Sequence, residues 1–371
     1  MAQGFSLKDQ LFNATSLGQL GAEYAAGLPG LDGEDFARKA LSGVPDRSLM
    51  ECLDWFADCI TPHLSDDFPE MADQLQAMMP PPLDPALRDD DFGRFIHAVP
   101  GILAVRHGLE HHRDRALDLI HAATRRFSME FSIRHFLNRW PDETLARMAV
   151  WAQDDNYHVR RLVSEGTRPR LPWGRAIGLP PAQTLPLLDR LHADPTRFVT
   201  RSVANHLNDI SKTDADAVLG RLQDWQGAGA QDPSELAWMA RHALRTRIKA
   251  GHPGAMAHLG YAAGAEVDVQ VRLEAETVAI GDRLRFDVTL QAPAALPVLV
   301  DYRIRFAGPG RDREKVFKLK AGKVQAGHRL VMSKAHLMKG DATTFALYPG
   351  AHELIVQVNG VDRGRVGFVL I

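Results

Sequence analysis

Three stretches of the chain set carboxylates among arginines and aromatic residues. Arg125 to Arg134 reads R-R-F-S-M-E-F-S-I-R, with Glu130 four residues before Arg134. Val159 to Trp173 carries Glu165 four residues after Arg161 and continues through Gly166, Arg168, Arg170 and Trp173. Val203 to Lys212 closes on Asn208, Asp209, Ser211 and Lys212. At that spacing a carboxylate and a guanidinium face each other on a helix, and Gly166 is suited to cap the helix that carries Glu165. Carboxylates in such company can stabilise a developing positive charge or place a water. Guanidiniums suit bidentate binding of phosphate.

Other chemistries lack their usual residues. His107-Gly108-Leu109-Glu110-His111 matches the H-x-x-E-H pattern whose paired histidines can grip zinc from one helix face. However, Gly108 weakens the helix, His112 and Arg113 crowd the position, and no third-ligand motif follows. These histidines are read as solvent-facing, and neither a metal nor a cofactor is expected. There is no phosphate-binding G-x-x-x-x-G-K-[ST], no dinucleotide glycine fingerprint after a strand and no G-x-S-x-G elbow.

A length of 371 residues exceeds what one ordinary core holds together, which implies two domains or a repeat array with one domain added. The net charge of −2 conceals an uneven distribution. Residues 1–100 carry 6 Lys+Arg against 17 Asp+Glu, residues 101–261 carry 22 against 17, and residues 262–371 carry 16 against 12. A polyanion partner is therefore compatible with the later segments and not with the first. No apolar run is long enough to span a bilayer, and the first ten residues lack the regions of a signal peptide, so a cytoplasmic protein without membrane contact is expected. Cys52 and Cys59, seven apart in an apolar stretch, are read as core thiols.

The carboxylate segments need elements to position them. Up to about residue 250 apolar residues recur at helical spacing, as in Val159, Leu162 and Val163 or Val199, Val203, Ala204 and Leu207. Anchor residues Val159, Val199 and Ala240, each soon followed by arginine, stand 40 and 41 residues apart. That period belongs to helix-pair solenoids of the HEAT kind. The Gly- and Ala-rich stretch from Ala250 to Ala265 reads as a linker. Beyond it apolar residues alternate, from Val267–Leu273 through Leu284–Leu290, Val300–Phe306, Phe317–Leu319, Leu330–Met332, Phe345–Leu347 and Leu354–Val358 to Val366–Leu370, with Asn359-Gly360 as a turn. The expected fold is multidomain: an all-α HEAT-like helical solenoid over residues 1–261, followed by an all-β immunoglobulin-like sandwich over 262–371.

At these segments the chain resembles the AlkC branch of the AlkC/AlkD alkylpurine DNA glycosylases, also called DNA alkylation repair proteins. The resemblance lies in E-F-S-I-R at Glu130 to Arg134 and in V-R-R-L-x-S-E-G-x-R-P-R-L-P-W at Val159 to Trp173. It extends to V-A-N-x-L-N-D-I-S-K at Val203 to Lys212 and F-S-L-K-D-Q-L-F-N at Phe5 to Asn13. The helical array followed by an immunoglobulin-like domain is similar to the layout of that branch. The resemblance implies hydrolytic removal of cationic N-alkylated bases (3-methyladenine, 3-methylcytosine and 1-methyladenine) in base excision repair. It implies double-stranded DNA as partner, and a monomer is expected.

Carried onto this sequence, the resemblance implies Glu165 as a carboxylate on the lesion side, Asp209 as the group that places water or stabilises the oxocarbenium, and Glu130 as a third charge. A cationic base is already a good leaving group, so anions and a placed water are what the reaction needs. Trp173, held between prolines, is expected to stack on a nucleobase. Arg160, Arg161, Arg168 and Arg170 are expected at phosphates, with Arg134, Arg201 and Lys212 as further DNA contacts. In the sandwich, Arg303, Arg305, Arg311, Arg313, Lys315, Lys318, Lys320 and Lys323 are read as a DNA clamp. The alternative is a non-catalytic HEAT-repeat binding module, which would present an apolar or mixed surface in place of carboxylates ringed by arginine.

Overall fold

The structure, a computed structural model, describes residues 6–86, 91–340 and 346–371. Phe5 of the opening motif and Phe345 of the strand series lie outside the described residues. Among the described residues, helices run from Leu7–Leu11 to Pro253–His258, and eight strands follow. Packing separates two compact units: Met1–Ile210 with Asp224–His242, and Ser211–Gln223 with Ala243–Ile371. The second unit thus combines helical residues with the strands, whereas a cut at 261/262 follows only the change of secondary structure.

In the first unit the three carboxylate segments lie on three helices, Glu130–Arg139, Tyr157–Gly166 and Arg197–Ser211, called here the Glu130, Glu165 and Asp209 helices. Each buries an apolar stripe at helical spacing: Ile133, Phe136 and Leu137; Val159, Leu162 and Val163; Val199, Val203, Leu207 and Ile210. The Glu165 helix starts at Asn156, whose side chain accepts from the backbone N–H groups of His158 and Val159. Gly166 does not end this helix as a left-handed cap; it is the last helical residue. A Cβ there would stand 2.6 Å from Cγ2 of Ile133, so glycine is needed for close approach to the Glu130 helix. Polar bonds recur between successive repeats: Arg160 Nε donates to Asp194 at 2.5 Å, Arg197 Nε to Glu235 at 2.7 Å, and His242 Nε2 bonds Asn205 Oδ1 at 2.8 Å.

The strands are β1 (Asp268–Leu273), β2 (Thr277–Val278), β3 (Arg283–Gln291), β4 (Leu296–Phe306), β5 (Arg313–Val324), β6 (Leu330–Leu337), β7 (Gly350–Val358) and β8 (Val361–Leu370). They form a three-stranded sheet, β1-β3-β6, and a five-stranded sheet, β2-β8-β7-β4-β5. Inward residues including Leu284, Phe286, Val288, Val300, Tyr302, Ile304, Leu354, Val356 and Phe368 fill the space between them. Asn359 and Gly360 join β7 to β8, both with positive φ (49° and 84°), as a two-residue hairpin of the favoured kind requires. Two expectations change. Leu347 lies in no strand, and β2, too short for an alternation signal, pairs parallel with β8.

The stretch from Ala250 to Ala265 is not a free linker. Pro253 opens a helix, Pro253–His258, on a His252 cap. The β7–β8 hairpin then grips the chain after it: Asn359 Nδ2 donates to the carbonyl of Ala262 at 3.2 Å, and Arg363 Nη2 donates to those of Ala263 at 3.2 Å and Ala265 at 3.1 Å. Gly251 and Gly360 pack so closely that a Cβ on Gly251 would stand 2.4 Å from the Gly360 carbonyl oxygen. A chain ending at Ala265 loses these contacts, each bond being worth roughly 1 kcal/mol. Hydrogen exchange should therefore speed up in Ser211–Gln223 and Ala243–His258 and stay as in the parent in the Glu130, Glu165 and Asp209 helices. Parent-like protection of Ala243–His258 in that truncated chain would mean the helical residues hold themselves.

Candidate active site

Glu130, Glu165 and Asp209, up to 79 positions apart in the chain, are linked through two arginines. Arg161 Nη1 donates to Glu130 Oε2 at 2.9 Å, and its Nη2 stands 3.7 Å from Glu165 Oε2. Arg168 Nη1 donates to Glu165 Oε1 at 2.6 Å, while its Nε and Nη2 reach Asp209 Oδ2 at 3.0 and 2.9 Å. Behind them the buried Arg134 guanidinium interacts with all three carboxylates, so three anions and three guanidiniums balance. Glu165 and Asp209 are each 5% exposed, so water screens these charges little.

Burial alone would raise the Glu165 carboxyl. The guanidiniums of Arg161 and Arg168, with hydrogen bonds from Ser202 and Arg168, outweigh it and hold the group below the ordinary carboxylate range. Burial pushes the Arg168 guanidinium down, but Glu165 and Asp209 more than reverse this and leave it raised. Both oxygens of Glu165 carry a hydrogen bond, Oε2 from Ser202 Oγ at 2.6 Å. Glu130 differs: Oε2 receives Ser128 at 2.8 Å as well as Arg161, and Oε1 has no hydrogen-bond partner among the described residues. The Arg161 guanidinium lies 4.6 Å over the ring of Phe198, itself packed on Tyr157, His158 and the half-exposed Phe92.

Several residues expected at DNA have other work. Arg134 is fully buried, which rules out a phosphate contact. Its guanidinium donates to the backbone carbonyls of Gly166, Arg168 and Arg175 and so fixes the segment that leaves the Glu165 helix. Burial first, then the charge of Arg168, pushes it down to about 10. Arg160 is committed to Asp194 and to the carbonyls of Asp154 and Asp155, and Arg161 and Arg168 to the carboxylates above. In the sandwich, Arg303 pairs with Asp362 and Glu314, and Arg305 with Glu314 and Glu353, so neighbouring strands neutralise them. Arg170, Arg201, Arg313 and Lys318 are exposed, while Lys212 and Lys315 are half-buried.

Trp173 is 70% exposed and has φ of 59°, a left-handed conformation that a bulky side chain adopts only at a cost and that collects at functional sites. Arg170 and Arg175 are exposed on the same segment. Sequence reasoning did not single out Phe198, Ser202 or His206 on the Asp209 helix. Only their distance from the Glu165 helix, close to the repeat period, could have marked them. His107 and His111 are exposed on a π-helical turn and the turn after it, not on one α-helical face.

The chain matches two known families in succession: DNA alkylation repair enzyme over residues 120–246 and the C-terminal Ig-like domain of the uncharacterised protein YhaZ over 268–371. It is 31% identical over 262 residues to the uncharacterised protein YhaZ of Bacillus subtilis, covering 69% of this chain and 72% of that one. It is also similar to the structure of the Pseudomonas fluorescens alkylpurine DNA glycosylase AlkC bound to DNA containing an abasic site analog. The identity there is 34%, with a TM-score of 0.86 over 99% of this chain and 100% of the other. A buried, arginine-bound carboxylate cluster offers no apolar groove for a peptide, and the likeness runs the length of both chains: the protein belongs to the AlkC branch of the alkylpurine DNA glycosylases.

Proposed function

We propose that the chain acts as a monomer on double-stranded DNA and releases cationic N-alkylated bases, the class that includes 3-methyladenine, 3-methylcytosine and 1-methyladenine. The observation that carries this reading is that Arg161 and Arg168 hold three carboxylates together, two of them buried, in the Glu130–Arg161–Glu165–Arg168–Asp209 cluster. The bond from C1′ to the base nitrogen breaks with its electron pair going to the base, which leaves neutral, and the sugar is left as an oxocarbenium. Glu165, hydrogen-bonded at both oxygens, serves as a fixed anion beside that cation, with Asp209 as the second. Glu130, with Oε1 open, places the water and takes its proton as oxygen adds to C1′. This moves the water-placing role from Asp209 to Glu130.

Exposure favours Arg170, Trp173 and Arg201 in the helical repeats, and Arg313 and Lys318 in the sandwich, as the groups that meet DNA. The Pseudomonas relative was captured on DNA, which supports the same partner here. Purified protein incubated with methylated duplex should release free alkylated bases, and its affinity for duplex should fall steeply with salt. Intact duplex after prolonged incubation, with the protein folded and bound, would overturn the reading.

A further inference from the structure

Glu165 is held by the next repeat as well as by its own. Arg161, one turn back, stands at 3.7 Å from Oε2, within ion-pair range but beyond a hydrogen bond. Ser202, from the Asp209 helix, donates the one hydrogen bond that Oε2 receives among the described residues, at 2.6 Å. A serine inside a helix commonly bonds back to the carbonyl one turn earlier. Here the hydroxyl crosses to a neighbouring helix, and Ser202 is only 2% exposed. One turn further on, His206 Nδ1 bonds the carbonyl of Ser164 at 3.1 Å, so that nitrogen carries the proton. Burial pushes the His206 ring down to about 4, which leaves it neutral at ordinary pH. The next turn presents Asp209 to Arg168. Three successive turns of the Asp209 helix therefore hold the Glu165 side chain, the backbone just before it, and the arginine that shares its charge.

We infer that Ser202 is a positioning residue for the excision reaction: its hydroxyl fixes the rotamer of Glu165 and keeps its carboxylate ionised where the sugar becomes cationic. The inference rests on the reading of Glu165 as the fixed anion. Too buried to meet DNA, Ser202 acts only through Glu165. The other charged or titratable groups around Glu165 are Arg161 on its own helix, Arg168 just beyond it, Arg134 on the Glu130 helix and His206 on the Asp209 helix, with Glu130 and Asp209 sharing Arg161 and Arg168 with it. With the serine gone, the two nearer guanidiniums remain, but Oε2 loses its only hydrogen bond and the side chain is free to swing toward Arg161.

The test is single-turnover excision from methylated duplex by the full chain as Ser202→Ala, Ser202→Cys, Glu165→Gln and the double variant Ser202→Ala/Glu165→Gln. The hydrogen bond being to a charged group, Ser202→Ala should slow excision about tenfold and move the acid limb of its pH profile upward, with duplex affinity unchanged. Cysteine fills the volume but donates poorly, so it should be as slow as alanine. In the Glu165→Gln background, Ser202→Ala should cost nothing more. Full activity in the cysteine variant with loss in the alanine variant would reduce Ser202 to packing, and additive losses would mean it acts elsewhere; either overturns the inference. So does a parent-like Ser202→Ala beside a slow Glu165→Gln, which leaves the reading of Glu165 intact. A parent-like Glu165→Gln removes that reading and this inference with it.

Discussion

Glu165→Gln and Asp209→Asn are each expected to slow single-turnover excision of a cationic base by about a hundredfold to a thousandfold, the usual size of one preorganised charge contact. Binding of duplex should stay near that of the parent. The expectation follows from the loss of a fixed charge: neutralising either carboxylate removes one buried anion and leaves Arg134, Arg161 and Arg168 in place. A developing oxocarbenium then faces one anion fewer in a region that water screens poorly. The amides are close in shape to the acids they replace. Gln can still accept from Arg168 on one atom, and Ser202 can turn its hydroxyl to accept from the other, so the fold should survive. The exposed groups available to phosphate, Arg170 and Arg201, are untouched. Excision within about threefold of the parent, too small a barrier change for a lost catalytic charge, would remove these two residues from the chemistry.

How much of this was legible beforehand depended on what carries a sequence signal. The repeat period of about 40 residues tied Val159, Val199 and Ala240 to equivalent helices, and the motifs around Glu130, Glu165 and Asp209 pointed to the same three helices. Strand alternation likewise foretold the sandwich, because inward residues on half-buried strands must be apolar. What failed was the fate of each arginine. Arg134 has the same local pattern as its neighbours, and nothing in E-F-S-I-R says that three carbonyls from residues 166–175 will surround its guanidinium. Alternation put Arg303 and Arg305 on one face of β4 but could not show Glu314, Glu353 and Asp362 arriving from β5, β7 and β8. Glycine content suggested a linker after Ala250, yet Gly251 allows close packing on Gly360. Ser202 was invisible for a different reason: a lone serine on a helix has no pattern of its own.

Arg168→Met should be the most destabilising single change at the site, costing roughly 3–5 kcal/mol, as expected when one partner of a buried ion pair is removed. Arg168 is the only group hydrogen-bonded to both Glu165 and Asp209 in the described structure, and its side chain is 11% exposed. Methionine fills much of the space and returns no donor. The pH dependence should weaken as well. In the parent, Glu165 lies below its ordinary value, so its contribution to stability is present above the unfolded value and lost as pH falls through the folded one. Without Arg168, Arg161 and the Ser202 hydrogen bond alone oppose burial, so the Glu165 carboxyl moves up from its lowered value and this pH-dependent contribution shrinks. The variant should gain less stability than the parent as pH rises through the acid range. Arg168→Lys, which restores a charge but not the three-donor grip, should fall between the two. A phosphate-contacting arginine would behave otherwise: its removal would leave stability alone and weaken binding to damaged and undamaged duplex equally. Urea melts of Arg168→Met across the acid range separate these outcomes, and parent-like stability with the parent's pH dependence would mean that Arg168 does not hold the carboxylates together.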